Sequence, residues 1–171
     1  MGKTIFLIGY MGSGKSTLGK KLANHFNADF IDLDKQIEKS TGKTINKIFD
    51  SEGEAQFRAI EKDVLRNLPE SEITFVATGG GTPCLHNNIN WMKEHGVVIF
   101  LNLPASILIG RLKEKKANRP LIKDMSDEAL SEFVIQQLEE RTKFYEQADI
   151  LVNHNKSIRI LKAELNLLLN I

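Results

Sequence analysis

Five short apolar runs punctuate the chain: "TIFLI" (Thr4 to Ile8), "DFIDL" (Asp29 to Leu33), "ITFVA" (Ile73 to Ala77), "VVIFL" (Val97 to Leu101) and "ILV" (Ile150 to Val152). Several are apolar at consecutive positions, so they offer hydrophobic side chains on both faces, as strands inside a covered parallel sheet do. Between them the rhythm changes. Leu18, Leu22 and Phe26 fall four apart, while Phe57, Ile60, Val64 and Leu68 follow the three-and-four spacing of a helix that buries one side. Strand and helix alternate, which predicts an α/β fold in three layers. A central five-stranded parallel sheet lies between helices, crossovers are right-handed, and ligands gather at the carboxyl ends of the strands.

Composition narrows the picture. With 171 residues, 42% of them hydrophobic, and no repeat, low-complexity tract or linker, the chain reads as a single domain over residues 1–171. A formal charge of +1 leaves neither a basic stripe for nucleic acid nor an acidic tail, so the expected partner is small. One cysteine cannot staple a fold, and "MGKTIFLIGY" enters a strand at once, without the regions of a signal peptide. "MGKTIF" lacks the Ser or Thr of a myristoylation signal, and no apolar stretch approaches a membrane span. The expectation is a cytoplasmic protein with no membrane contact. The histidines at 25, 86, 95 and 154 lack metal-ligand spacing, and Cys84 reads as a small buried or half-buried thiol. One basic segment departs from the packed pattern: "KEKKANRPLIKDM" (Lys113 to Met125) reads as a surface loop, followed by a helix with Ser126 as N-cap and Asp127 and Glu128 in its first turn.

The first apolar run leads straight into "GYMGSGKST" (Gly9 to Thr17), three glycines within six residues, where a packed element would avoid the backbone entropy that glycine costs. Gly9, Gly14, Lys15 and Ser16 satisfy the pattern G-x-x-x-x-G-K-[ST] between a strand and a helix. Such a loop aims successive backbone N–H groups into one concavity and adds the positive end of the next helix, a cradle for nucleotide phosphates. Lys15 is expected to reach the outer phosphates and Ser16 to hold Mg²⁺. Many such loops draw on an Asp at the end of a neighbouring strand, but "ITFVA" runs into "TGGG". The acids stand instead at Asp32 and Asp34, where "FIDLD" leaves its strand and the period of two points both the same way. They could divide the work, one near the metal's water shell and one near an acceptor hydroxyl, or form a polar strand end that caps a helix.

A second glycine run, Gly79 to Gly81, falls at the same edge of the sheet, either as a close approach of ligand to backbone or as a connector ending at Pro83. Arg58 and Arg141 sit on helical patterns, with Glu61 three residues after Arg58 and able to hold its guanidinium. Each arginine alone reads as an exposed helix charge; held in place, each suits two-point recognition of a carboxylate. The chemistry is that of a kinase whose acceptor carries a hydroxyl and an anion.

Taken together, "GYMGSGKST", "FIDLD", "FR..E" (Phe57 to Glu61), "ATGGGT" (Ala77 to Thr82), "RPLI" (Arg119 to Ile122) and "ERTKFYEQAD" (Glu140 to Asp149) stand in the order and approximate spacing of shikimate kinase, over nearly the whole chain. The chain thus resembles that family, whose fold is similar to that of nucleoside monophosphate kinases. The resemblance implies transfer of the γ-phosphate of ATP to the 3-hydroxyl of shikimate, the fifth step of the chorismate route to aromatic amino acids, by a monomer. It implies nucleotide contacts from Gly12, Ser13, Gly14, Lys15, Ser16 and Thr17, with Arg111 along the adenine and Arg119 reaching in from a lid. Ser16 then holds Mg²⁺ directly and Asp32 through water. Shikimate falls to Asp34, Arg58, Gly79, Gly80, Gly81 and Arg141, with Asp34 near the reacting hydroxyl and both arginines near the carboxylate. Lys15, Asp34 and Arg119 are the catalytic candidates. Substrate-binding helices span about 33–61, and the basic insert, about 112–125, becomes a mobile lid that excludes water. A kinase of another small hydroxy acid such as gluconate, or a catalytically silent nucleotide sensor, are the rival readings; the first leaves "FR..E" and "ER...Y" less directly explained, and the second the retained Lys15, acids and lid arginine.

Overall fold

The computed structural model describes residues 2–116 and 122–170. The five apolar runs form β1 (Lys3–Ile8), β2 (Asp29–Asp32), β3 (Ile73–Ala77), β4 (Val97–Asn102) and β5 (Ile150–Asn153), all parallel in the order β2-β3-β1-β4-β5. The helices are α1 (Lys15–Phe26), α2 (Leu33–Thr41), α3 (Ile45–Arg66), α4 (Asn88–His95), α5 (Ala105–Glu114), α6 (Asp127–Tyr145) and α7 (Ile158–Leu169), with a short 3₁₀ turn at Thr82–Cys84.

The two-residue period of β1 explains the layers. Phe6 and Ile8 pack with Leu33 and Ile37 of α2, Ile48 and Phe57 of α3 and Met92 of α4. Ile5 and Leu7 face the other way, against Leu22 of α1 and Leu161, Leu165 and Leu169 of α7. Burying each such side chain contributes about 1.5–3 kcal/mol, so both faces of the central strand are strongly specified. Because β1 pairs with β3 on one side and β4 on the other, the chain leaves β1 at the point where the strand order reverses, and a crevice opens there. Gly9 begins at that crevice.

Two features lie off the simple pattern. Within α3, Gly53 adopts φ 82° and ψ 172°, which divides the helix into a piece capped by Thr44 and a piece bearing Phe57, Arg58 and Glu61. A third cluster joins Tyr10 of the glycine loop to Leu108 and Leu112 of α5, Ile122, and Leu130 and Val134 of α6. Ile122 is fully buried, which corrects the expectation of an unpacked surface loop from Lys113 to Met125: its far end is anchored in a core. Residues 117–121 of that insert, Arg119 among them, lie outside the described residues. After it, α6 opens as expected, with Ser126 Oγ accepting from Ala129 N at 3.1 Å and Asp127 and Glu128 in the first turn. Among the described residues, no helix is long and apolar enough to cross a membrane.

Candidate active site

The loop between β1 and α1 takes backbone conformations that demand glycine. Gly9 has φ 140°, and a Cβ there would stand 2.8 Å from the carbonyl oxygen of Leu101; Gly14, the N-cap of α1, has φ 96°. Ser13 N donates to Tyr10 O at 3.2 Å and closes the turn. The buried Lys15 ammonium donates to Gly9 O at 2.8 Å and Tyr10 O at 2.9 Å, so a cation is held across the loop. Arg111 of α5 donates to Gly12 O at 3.0 Å, which places its guanidinium over the glycine loop.

The acids meet this loop by a route that differs from strand alternation. β2 ends at Asp32, and Asp34 already belongs to the first turn of α2, so the period of two does not relate the pair. Asp32 caps α2 and also meets the glycine loop. One carboxylate oxygen accepts from Lys35 N at 3.4 Å as the helix cap, and the other accepts from Ser16 Oγ at 2.8 Å. Asp34 is reached by water, but its carboxyl is recessed against the protein. Burial pushes that carboxyl up to about 6, the charges of Asp32 and Glu61 push the same way, and Lys15 and Arg58 oppose them.

The second glycine run is where the remaining side chains converge. A methyl on Gly79 would lie 3.4 Å from Asp34 Oδ1, one on Gly80 3.5 Å from Arg141 Nη1, and one on Gly81 2.6 Å from Arg58 Nη2. Three charged groups from α2, α6 and α3 therefore flank three successive glycines. Arg58 is not a free helix charge: its Nη1 donates to Glu61 Oε2 at 2.8 Å, and Glu61 is only 1% exposed. The other oxygen of Glu61 accepts from Thr82 Oγ1 at 2.6 Å, and Asn88 Nδ2 donates to Thr82 O at 3.0 Å. Arg141 stands over the Tyr10 ring, 5.7 Å from its centre.

A cleft of about 930 Å³ runs along this edge, lined by the loop from Met11 to Leu18, Asp32, Asp34, Gly79, Gly80 and Arg111. It joins the phosphate cradle to the glycine run, the arrangement a transfer between two bound molecules requires. The same architecture occurs in known proteins. The family model for shikimate kinase matches residues 11–166. The shikimate kinase of Bacteroides thetaiotaomicron is 44% identical over 149 residues, covering 87% of this chain and 85% of that one. That of Aquifex aeolicus is 41% identical over 152 residues, with 89% and 87% covered. The chain belongs to the shikimate kinase family. The crystal structure of the Bacteroides thetaiotaomicron enzyme superposes with a TM-score of 0.88 at 40% identity over 99% of both chains. That of the Acinetobacter baumannii shikimate kinase in complex with shikimate does so at 0.84 and 34% identity, over 99% of this chain and 94% of that one.

Cleft-lining residues that sequence reasoning missed lie mainly at the far end of the cleft. Asn153, His154, Lys156 and Ile158, from the end of β5 to the start of α7, line it together with Arg111, Glu114 and Lys115. No motif marks those residues; only the position of β5 at the sheet edge brings them there. Thr82 was equally silent, because its hydroxyl bonds Glu61, 21 residues away.

Proposed function

We infer that this kinase transfers the γ-phosphoryl group of ATP to the 3-hydroxyl of shikimate. The observation that carries the reading is the row of Asp34, Arg141 and Arg58 against Gly79, Gly80 and Gly81, immediately beside the phosphate loop. Two guanidinium groups suit one carboxylate, and a carboxylate group from Asp34 suits a neighbouring hydroxyl. The retained Lys15, with both acids, speaks for turnover over a silent sensor.

In the reaction, the acceptor oxygen forms a bond to the γ-phosphorus as the bond from that phosphorus to the β-bridging oxygen breaks. The hydroxyl proton passes to Asp34, and ADP leaves. Little covalent chemistry is asked of the protein, and alignment with charge neutralisation supplies most of the barrier reduction. Lys15 neutralises phosphate oxygens from within the loop, while Arg58 and Arg141 hold the acceptor's far end. The oxygen pair Ser16 and Asp32, 2.8 Å apart, fits Mg²⁺, a hard cation that takes few protein oxygens and leaves its other positions to phosphate and water. Ser16 would hold it directly and Asp32 through water, and its charge would offset that of the outer phosphates. Arg111 lies along the nucleotide, and the positive charge of Arg119 adds to the neutralisation of its phosphates. The single domain acts as a monomer in the cytoplasm.

The decisive test is turnover with a panel of hydroxy acids. Shikimate should be phosphorylated with ATP, gluconate should not, and an analogue with a neutral amide in place of the shikimate carboxylate should be a poor substrate. Faster turnover of gluconate, or hydrolysis of ATP without transfer to any acid, would overturn the assignment.

A further inference from the structure

The two arginines share an arrangement that the reaction itself does not require. On α3, Arg58 is followed three residues later by Glu61, which grips the glycine run through Thr82. On α6, Arg141 is followed four residues later by Tyr145, whose hydroxyl donates to Gly80 O at 2.6 Å. Each helix therefore presents an arginine toward the glycines and, one turn further on, a second side chain that holds the same glycine segment. Residues at these separations share a helix face, so arginine and companion move as one body.

Tyr145 is the less obvious of the two companions. It is fully buried, its ring is tilted against Phe100 with centroids 5.1 Å apart, and it belongs to the core beneath the site. Phenylalanine would satisfy that packing. The hydroxyl adds one buried polar group, which has to find a partner to be tolerated there. Its proton goes to the carbonyl of Gly80, the glycine at which an added Cβ would meet Arg141 Nη1 at 3.5 Å. Burial pushes the phenol's titration upward, and the charge of the Arg141 guanidinium opposes it. Gly80 in turn abuts Met11 N and Gly9 O, so the same contact ties the acceptor side to the phosphate loop.

We propose that Tyr145 is a positioning residue for the acceptor: its hydroxyl fixes Gly80 and Arg141 relative to each other, and so sets the arginine at the distance that recognises a carboxylate. The proposal rests on the reading of Arg141 as a carboxylate contact. It requires that removing one oxygen atom from the core weaken recognition of shikimate selectively. In Tyr145→Phe, KM for shikimate should rise roughly five- to tenfold, the worth of about one buried hydrogen bond, with a smaller change in kcat and with KM for ATP as in the unaltered protein. The preference for shikimate over its neutral amide analogue should shrink in the same variant, because a loosened guanidinium gains less from the charge.

Arg141→Ala, measured beside it, separates the two levels of the argument. If Arg141→Ala raises KM for shikimate and Tyr145→Phe does not, Tyr145 is a core residue only and the proposal fails. If both KM values rise together in Tyr145→Phe while its melting temperature falls, the hydroxyl serves general stability, and the proposal fails again. If Arg141→Ala leaves KM for shikimate unchanged, the carboxylate reading beneath it is wrong and the proposal falls with it. Thr82→Val provides the parallel on α3: removing its hydroxyl from Glu61 should likewise act on shikimate and spare ATP.

Discussion

The phosphate loop and the acceptor side of the cleft stand beside each other but are built in opposite ways. The loop is nine consecutive residues, Gly9 to Thr17, and what it offers a ligand is local: backbone amides and one buried lysine bonded to carbonyls five and six residues away. The acceptor side takes Asp34, Arg58, Gly80 and Arg141 from four different segments and depends on charged side chains held by long-range bonds such as Tyr145 to Gly80 and Thr82 to Glu61. A site made of backbone is specified locally and recognises what many proteins bind. A site made of side chains is specified by packing and can recognise one acid among many.

The sharpest way to break the comparison is at its shared edge, where we propose that Lys15 serves the transition state and not one substrate. Lys15→Ala should lower kcat by about 10³-fold or more, since charge stabilisation in a preorganised site is worth several kcal/mol, with circular dichroism unchanged. Near-normal turnover would remove the loop from the mechanism. Next in size is Asp34→Asn, which keeps the shape and deletes the charge; kcat should fall at least about 10²-fold, as when a positioned base is lost. Stopped turnover with shikimate binding retained would place Asp34 with the chemistry, whereas unchanged turnover would make it a structural charge in the first turn of α2 only.

A smaller effect distinguishes the two sides directly. Replacing Arg58 or Arg141 with Ala should raise the Kd for shikimate roughly ten- to a hundredfold, the worth of a charged hydrogen bond of about 1.5–3 kcal/mol, and leave the Kd for ATP nearly as it was. Titration calorimetry with both ligands checks this. Thermal denaturation should also rank the two variants, because Arg58→Ala strands the buried Glu61 with Thr82 as its remaining hydrogen-bond donor; it should be the less stable. Equal losses for ATP and shikimate would mean that the two sides are not separable.

The smallest effect concerns pH. Asp34 has to be ionised to accept a proton, and its carboxyl is pushed up to about 6, so kcat/KM for shikimate should fall as the pH drops through that region. Glu61 pushes the carboxyl up and Arg58 pulls it down. Glu61→Gln should therefore move the acid limb to lower pH, and Arg58→Ala should move it to higher pH. Limbs that stay in place in both variants would show that another group is titrating.

The sequence alone determined whatever rests on local rules. Apolar runs at consecutive positions fixed the strands, helical spacing fixed α1 and the second piece of α3, and the glycine motif located the phosphate cradle, because φ preferences and short-range hydrogen bonds act within a few residues. Where the local rule was misapplied, the structure shows why. Asp32 and Asp34 share the cleft, but through the start of α2 and not through strand alternation, since the strand ends one residue earlier than the pattern suggested. Ile122 looked like part of a solvated insert and is buried, because Tyr10, Leu112 and Leu130 from three other segments cover it. What only the tertiary structure decided is which charges are held and against what. Arg58, Glu61 and Thr82 form one chain of bonds, Tyr145 reaches Gly80 from 65 residues away, and the segment after β5 closes the far end of the cleft. Those relations depend on the strand order β2-β3-β1-β4-β5, which sets distant segments side by side, and no short-range preference of the chain encodes that distance.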